Sequence, residues 1–246
     1  MDDFLYIAAS GAREAMLAQA VNANNLANVN TTGFRANLVL AESAYLEGEG
    51  QDSRVYGAIT GETVDLTAGV INTTGRDLDV AINGPGLMAV MAPNGAETYS
   101  RRGDLRVTDL GQLVNGAGQQ VMGDSGPISL PPYSDIAVGG DGTISIVALG
   151  EDPNSLTEVD RIKLVNPEPG SITKGDDGLL RMREGDSPEA DAAVRLVSGS
   201  LETSNVNSVG AMVRMIELAR QYEYHVKMMA AAEQLDRASA ELITLT

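Results

Sequence analysis

The stretch from Asn205 to Thr246 constrains the fold most, because it reads as one uninterrupted helix. It contains no proline and a single glycine, Gly210, and it is rich in Ala, Met, Leu and Glu, which favour helices. Ser204, Asn205, Asn207 and Ser208 are candidate N-caps. A helix of this length extends about 60 Å at about 1.5 Å per residue, so a small domain cannot cover it. Its apolar side therefore needs a partner.

Apolar residues along this helix recur at intervals of three and four, as in the seam of a coiled coil. After the fourth residue of the stripe the spacing slips by one position, which indicates a local break in the heptad. The stripe consists of Val209, Met212, Ile216, Ala219, Tyr224, Met228, Ala231, Leu235, Ala238, Leu242 and Leu245.

Residues 4–28 predict the partner helix. Its stripe is dominated by small residues, which permit close helix approach but bury little area, and five asparagines crowd into residues 22–30. Such a helix is expected to be marginal in isolation. Gly33 suits a left-handed turn that ends it, with Phe34 available to pack back. The stripe residues are Leu5, Ala9, Ala12, Met16, Ala23 and Leu26.

The middle of the chain has a different composition, with 24 of the 27 glycines and all nine prolines in residues 41–200. Residues 36–75 read as a connecting segment, acidic in its first part, with a short strand at Val64 and Leu66. From residue 76 to 200, apolar residues that alternate with others predict short strands separated by turns, at Leu78–Ile82, Leu105–Val107, Ile136–Val138, Ile144–Ile146 and Ile162–Leu164. These turns are Asn83–Gly86, Pro93–Gly95, Gly139–Gly142 and Asp176–Gly178.

These patterns predict an α+β fold in which the N- and C-terminal helices form a coiled-coil-like pair. The intervening antiparallel β domain is expected to be an irregular sandwich or barrel. The predicted domains are a terminal helical assembly domain at 1–35 and 205–246, a connecting segment with short strands at 36–75, and a β domain at 76–204.

Charge and hydropathy exclude several classes of partner. With 34 acidic and 17 basic residues the net charge is −17, which argues against nucleic acid and anionic membrane surfaces. Cysteine is absent, so neither disulfides nor thiolate chemistry are expected. The longest apolar run, Leu87–Ala92, is too short to span a bilayer. Because the first twelve residues contain no Lys or Arg, we expect no cleaved signal peptide.

Patterns typical of catalytic or metal sites are missing. His225, the single histidine, falls in the long helix, where an exposed or interfacial position is expected. Gly84–Gly86 fails the dinucleotide fingerprint, and Gly139–Gly142 resembles a calcium-binding repeat only once, so a hairpin turn is the simpler interpretation. We therefore expect no enzyme activity, no catalytic residues, no cofactor and no metal.

Three stretches resemble one family, the axial proteins of bacterial flagella (rod, hook and hook-associated proteins). The first lies near the N-terminus, the second in the predicted β domain and the third at the start of the long helix, so the resemblance spans nearly the whole chain in order. The matching residues are Asn24–Asn28 and Thr32–Arg35; Gly69–Ile71, Thr74-Gly75, Asp77–Ile82, Tyr99–Arg101 and Gly103; and Leu201–Asn207, Met212-Val213, Met215-Ile216 and Tyr222-Glu223.

The resemblance implies a structural, non-enzymatic subunit of the flagellar basal-body rod. It further implies export through the flagellar type III apparatus, assembly with other rod proteins and with itself into a helical tube crossing the periplasm, and torque transmission. The terminal helices would form the inner layer and the β domain the outer layer. Met1-Asp2, Leu5-Tyr6 and the 127–182 region look most like proximal-rod members of the family, with a distal-rod or hook-type protein as the alternative.

The residues expected to form the assembly interface lie mainly on the two helices, which we expect to become fully ordered only on incorporation. Two alternatives remain open: the helices pack only within their own chain, or the chain is an extracellular binding β module on a coiled-coil stalk. The second is weakened by sparse aromatics, two Phe, seven Tyr and no Trp. The predicted interface residues are Leu5, Ala9, Ala12, Met16, Asn25, Leu26, Asn28, Phe34, Val209, Met212, Ile216, Ala219, Met228, Leu235 and Leu242.

Overall fold

The computed structural model describes residues 2–45, 55–152, 155–183 and 187–244 of the chain. Contacts between residues divide the chain into two compact units. The helical unit consists of Met1–Ala27, Asn37–Thr63 and Asn207–Thr246. The β unit consists of Asn28–Ala36 and Val64–Val206.

The helical unit contains the two predicted helices, α1 at Asp2–Ala27 and α2 at Ser208–Thr244. Of the candidate N-caps, Asn207 takes the role, since its Oδ1 accepts the backbone N–H of Gly210 at 2.9 Å. Two helices packed together, with an antiparallel β region between them in sequence, confirm the α+β fold class. None of the helices in the described part of the chain combines the length and hydropathy needed to cross a bilayer.

The connecting segment is more regular than the sequence suggests. Strand β1 at Asn37–Tyr45 has 9 residues, strand β2 at Val55–Val64 has 10, and the two pair with each other. The composition conceals them, because Glu42 interrupts the apolar pattern of β1 and further acidic residues follow it. Glu47, Glu49 and Asp52 of the acidic part lie outside the described residues.

The β unit is built from short strands, and every strand pairing with a described register in it is antiparallel. One short 3-10 helix, Pro169–Ser171, precedes β15. The strands are β3 Ile71–Thr73, β4 Val80–Asn83, β5 Leu87–Met91, β6 Glu97–Ser100, β7 Arg106–Val107, β8 Leu113–Val114, β9 Gln120–Gly123, β10 Gly126–Pro127, β11 Tyr133–Val138, β12 Thr143–Ala148, β13 Thr157–Arg161, β14 Leu164–Val165, β15 Ile172–Lys174, β16 Leu180–Met182, β17 Arg195–Ser198 and β18 Ser200–Glu202.

The largest sheet has the order β15-β16-β6-β5-β9-β8-β7, with β10 added to β9 and β14 to β5. A three-stranded sheet follows the order β11-β12-β13, and two strand pairs, β17-β4 and β18-β3, join the end of the β unit back to its beginning. The predicted strands at Val80, Ile136 and Ile144 fall in β4, β11 and β12. Closure into a sandwich or barrel stays a prediction.

The core of the β unit consists of large apolar side chains contributed by most of its strands. Leu105, Leu113, Ile128 and Ile144 are fully buried within one cluster. A second cluster gathers around Tyr99, whose hydroxyl donates to Glu97 at 2.9 Å. Burial raises the pKa of Tyr99 to about 12. This unit therefore has a complete core of its own.

Candidate assembly surface and its anchoring cluster

The seam between α1 and α2 is a heptad pattern of small residues against larger ones. Asn22 donates its side-chain amide to the carbonyl of Ala211 at 2.8 Å, and Gly11 lies against the imidazole of His225. As residue numbers fall along α1 they rise along α2, so the two helices are antiparallel. The buried and half-buried seam residues are Ala8, Gly11, Ala15, Ala18, Asn22 and Asn25 on α1, and Ala211, Met215, Leu218, Tyr222, His225, Met229 and Ala232 on α2.

This seam is not the stripe expected to join the two helices. Val209 is 70% exposed, and Met212 and Ile216 are 54% and 56% exposed, so the predicted stripe points away from α1. The observed seam on α2 alternates steps of four and three from residue 211 to 232 without a slip, and the slip predicted for the Val209–Leu245 stripe stays a prediction. Helix α2 carries apolar residues on two faces, and periodicity alone does not tell which face meets the small residues of α1.

The predicted interface residues accordingly have different environments. Ala12 and Asn25 are buried, Leu26, Asn28, Phe34 and Ala219 are half-buried, and Leu242 lies in α2 with its side chain outside the described residues. The exposed members are Leu5, Ala9, Met16, Val209, Met212, Ile216, Met228 and Leu235. Five further large apolar side chains are exposed as well. Tyr224 belongs to the predicted stripe, whereas the other four were not predicted as interface residues: Tyr6, Leu17, Val213 and Val226.

We call the exposed large apolar side chains of α1 and α2 the outer apolar face. It consists of Leu5, Tyr6, Met16, Leu17, Val209, Met212, Val213, Ile216, Tyr224, Val226, Met228 and Leu235. Large exposed apolar patches are unusual for a monomer and mark surfaces that meet other proteins, and these side chains supply exposed apolar surface on both helices. No residue within the chain's described part buries it.

The asparagines at the end of α1 make specific contacts that offset their low helix propensity. Besides the bond from Asn22 to α2, the Asn25 amide group forms two hydrogen bonds with the backbone of Asn37, each 2.8 Å long. Asn25 thus replaces a neighbouring strand at the start of β1. The Asn28 carboxamide oxygen accepts the Thr31 hydroxyl at 3.1 Å in the turn that follows.

Within the β unit, a buried cluster of charges holds the two segments that adjoin the helices in sequence. Glu202 accepts hydrogen bonds from Arg35 Nη2 at 2.5 Å, from Arg101 Nε at 2.7 Å and from the backbone N–H of Gly69 at 2.7 Å. The three charged side chains are at most 2% exposed. We call Arg35, Arg101 and Glu202 the anchoring cluster.

Arg101 fits this buried position because each of its three guanidinium nitrogens donates a hydrogen bond. Besides Glu202, it donates to the carbonyls of Ile82, Gly84 and Gly86, each at 2.9 Å. Burial, together with the nearby charge of Arg35, lowers the pKa of Arg101 below its usual value. The cluster therefore fixes the turn after β4, and it places two cations around one carboxylate.

Backbone contacts tie residues 33–36 to residues 202–205. The N–H of Gly33 donates to the carbonyl of Glu202 at 2.8 Å, and Asn205 accepts the N–H of Ala36 on its Oδ1 at 2.8 Å. Gly33 has a φ of 66°, as its predicted turn requires, and a Cβ there would lie 2.3 Å from the carbonyl oxygen of Arg101. Phe34 stacks under the ammonium of Lys174, 3.7 Å from the ring centroid.

Arg35, Arg101 and Glu202 fall within the motifs that resemble the flagellar family, but the sequence predicts no role for them. Their positions in sequence are far apart, so no local pattern joins them. The one available signal was the presence of charged residues inside otherwise apolar or glycine-rich motifs, which is common where a buried charge is paired. As predicted, Gly139–Gly142 forms the turn between β11 and β12.

Chemical groups for metal binding do not converge in the described residues. No group of three or more His, Asp or Glu side chains there is arranged to hold a metal ion. His225 lies half-buried in the α1–α2 seam, as its predicted interfacial position requires. The geometry of the described residues supports packing of the two helices and anchoring of segments within the β unit.

Comparison with known proteins gives matches along the whole chain. Residues 5–35 match the family model described as flagella basal body rod protein, residues 81–146 the flagellar hook protein FlgE/F/G D1 domain, and residues 197–242 the flagellar basal body rod FlgEFG protein C-terminal model. These matched ranges contain α1, much of the β unit and most of α2.

Curated relatives align over their full length. The flagellar basal-body rod proteins FlgF of Salmonella typhimurium and of Escherichia coli are each 36% identical to this chain over 252 aligned positions, covering 100% of both sequences. The flagellar basal-body rod protein FlgG of Caulobacter vibrioides is 28% identical over 261 positions, covering 97% of this chain and 98% of the relative. By these matches, the chain belongs to the flagellar basal-body rod protein family.

Proposed function

We propose that this chain is a structural subunit of the bacterial flagellar rod and that it joins the rod through the outer apolar face of its helical unit. The proposal rests on the distribution of residues in this unit, where small side chains are buried and large apolar side chains are exposed. Small residues form the α1 side of the seam, while Met212, Ile216 and Leu235 are each more than half exposed. A surface of this kind is stabilised when neighbouring subunits bury it.

The stripe identified in the sequence then acts between chains. Val209, Met212 and Ile216 follow the spacing of a coiled-coil seam, and their exposure leaves them available to the helices of other subunits. The partners are other rod proteins and further copies of the same chain. The interface residues predicted from the sequence, from Leu5 to Leu242, are proposed here as contacts between subunits.

The family further supports a place for this subunit in the basal body. We assign it to the proximal part of the rod, spanning the periplasm, and propose that it reaches that place through the flagellar type III export apparatus. There it transmits torque as part of a helical tube, with the terminal helices inside and the β domain outside. We propose that the functional domains are those predicted from the sequence, at residues 1–35 and 205–246, 36–75 and 76–204. The β domain is proposed to close as an irregular sandwich or barrel.

We also propose that the helices become fully ordered only when they are incorporated. Most of the buried apolar residues described in the two helices are alanines, and the pair leaves two polar atoms, Glu14 Oε1 and His225 Nδ1, buried without a hydrogen-bond partner among the described residues. Small residues contribute little burial energy, and unpaired buried polar atoms are destabilising. A weakly stable pair in the exported subunit discourages assembly before the rod is reached.

Substitution of Ile216 by Asp tests the proposal. A carboxylate placed at a buried intersubunit position loses its hydration, so incorporation into the rod and swimming should be abolished, while the β unit stays folded. The matched control is Gln221→Asp, which adds the same charge at an exposed polar position of the same helix. Motility in soft agar, the amount of subunit in purified basal bodies and far-UV circular dichroism of the soluble chain are measured together.

Normal incorporation and swimming of the Ile216→Asp strain would contradict the assignment of this face to assembly. Equal loss of motility in both variants would also count against it, because the effect would then follow from charge anywhere on the helix.

A further inference from the structure

Helices α1 and α2 approach each other closely at Gly11. A Cβ built on this residue would lie 2.3 Å from Cε1 of His225 and 2.7 Å from each of the two ring nitrogens. These separations are well below van der Waals contact, so the imidazole lies against the backbone of α1 in space that any other residue would fill. Glycine costs helix stability relative to alanine, which makes its presence in the middle of α1 a packing requirement.

The contact between the two residues depends on shape and not on a hydrogen bond. The Nδ1 atom of His225 is buried and has no hydrogen-bond partner among the described residues. Gly11 is the one glycine of α1, while the adjacent seam positions, Ala8 and Ala15, carry a Cβ and are buried at 0% and 2% exposure. The imidazole of His225 therefore fits against Gly11, whereas at Ala8 or Ala15 a Cβ would occupy its place.

We infer that Gly11 and His225 form the contact that holds the N-terminal half of α1 against α2 of the same chain. A hydrogen bond across the seam, from the Asn22 amide to the carbonyl of Ala211, lies at the opposite end of α1. Between Gly11 and the beginning of α1, Ala8 is buried and Ile7 and Ser10 are half-buried among the described side chains, and none of the three has a described hydrogen bond to α2. Without the Gly11–His225 contact, this half of the helix is free to pair with α2 of a neighbouring subunit instead.

The contact determines which surface the subunit presents. With α1 held on its own α2, the large residues of both helices form one outer face, whereas an exchanged α1 would present its residues on another subunit. This last consequence rests on the proposed function, but the pairing itself does not and is measurable on the purified chain.

Chemical crosslinking tests the inference directly, because the chain contains no cysteine. Ala8→Cys and Met229→Cys occupy the seam positions three residues before Gly11 and four residues after His225, which face each other in an antiparallel pair. A short bismaleimide is applied to the purified chain and to isolated basal bodies. A crosslink within one chain keeps the monomer's mass on a denaturing gel, and a crosslink between chains doubles it.

Four backgrounds complete the experiment. With Gly11 and His225 intact, the expected product is intrachain in both samples. Gly11→Ala should lower the intrachain yield severalfold, and the added change His225→Ala should restore it by removing the ring that clashes with the new methyl group. Gly210→Ala is the matched control for the helix propensity of alanine, since its Cβ would meet nothing closer than 3.5 Å; its yield should stay unchanged.

Interchain product in the unsubstituted background, an unchanged yield in Gly11→Ala, or no recovery in the double variant would overturn the inference. These results are separate from failure of the proposed function, which would appear as absence of the chain from basal bodies while the purified chain still gave the intrachain product.

Discussion

The two units of this protein bury different kinds of residue. In the β unit the fully buried side chains include Leu105, Leu113 and Ile128, whereas among the side chains described in the helical unit five of the six buried apolar residues are alanines, with Leu218 as the exception. A large aliphatic side chain contributes about 1.5–3 kcal/mol on burial, and the single methyl group of alanine contributes far less. The comparison indicates that the β unit is stable by itself and that the helical unit depends on neighbours.

The units also differ in how they treat charge. The anchoring cluster places Arg35, Arg101 and Glu202 in the interior of the β unit, where Glu202 is fully enclosed by donors. The described ion pair of the helical unit, Arg237 with Glu233, lies on the surface with side chains 74% and 62% exposed. Removing one partner of a buried ion pair is strongly destabilising, whereas an exposed ion pair contributes little to stability.

The largest expected effect comes from breaking the anchoring cluster. Glu202→Ala leaves two buried guanidinium groups without their carboxylate and should lower the unfolding free energy of the β unit by about 3–5 kcal/mol. Urea unfolding followed by circular dichroism measures it. Glu233→Ala, which removes the exposed carboxylate of α2, should change stability by less than about 1 kcal/mol. Equal effects of the two substitutions would contradict the distinction between the units.

A pair of leucines tests the β core in a similar way. Leu105 is 0% exposed and Leu110, five residues later in a turn, is 81% exposed. Leu105→Ala should destabilise the β unit by about 2–5 kcal/mol through lost burial and a cavity. Leu110→Ala should leave the urea midpoint nearly unchanged. A large loss at Leu110 would mean that this side chain is buried in solution.

A smaller effect is expected at the start of α2. Asn207→Ala removes the side-chain acceptor of the Gly210 N–H and should destabilise the first turn by about 1 kcal/mol. Asn207→Asp keeps an acceptor at the same position and serves as the control. Hydrogen exchange of the amides at residues 208–212 measures both, and faster exchange in the Asp variant than in the Ala variant would rule out the capping role.

The smallest expected effect concerns a turn of the β unit. The Asp141 carboxylate accepts the backbone N–H of Thr143 at 3.1 Å and its hydroxyl at 2.9 Å, and these bonds lower the pKa of Asp141 below its ordinary 3.8. Because the folded pKa is the lower one, the stabilisation is present above pH 3.8 and is lost as pH falls through the folded pKa.

Nuclear magnetic resonance titration of Asp141 should show this midpoint below 3.8, and Thr143→Val should move it upward while leaving it below that value, because the backbone bond remains. A midpoint that does not respond to Thr143→Val would mean that the hydroxyl contributes nothing to the shift.

Local patterns in the sequence predicted the elements whose causes are local. The helices, the Gly33 turn and the strands around Val80, Ile136 and Ile144 follow from spacing and from turn residues close in sequence. The seam did not follow, because α2 has two apolar faces and the choice between them depends on the shape of α1. Small residues there admit Leu218 and His225, and they leave the Ile216 face outside.

Long-range contacts account for the remaining differences. The anchoring cluster joins residues 35, 101 and 202, and each of these charges alone is expected on a surface. Likewise, the two hydrogen bonds from Asn25 to Asn37 give β1 a partner that composition does not reveal. In both cases a polar residue that appears unfavourable locally is explained by a partner distant in sequence.

Amide hydrogen exchange on the purified, soluble chain tests the central comparison most directly. The account predicts fast exchange along α1 and α2 and strong protection in the β unit. Residues 28–36 should be protected with the β unit, so that protection begins after Ala27, is interrupted by Asn37–Thr63 of the helical unit, and ends before Asn207. Protection of α1 and α2 equal to that of β5, β9 and β12 would contradict the account, because the helical unit would then be complete without its neighbours.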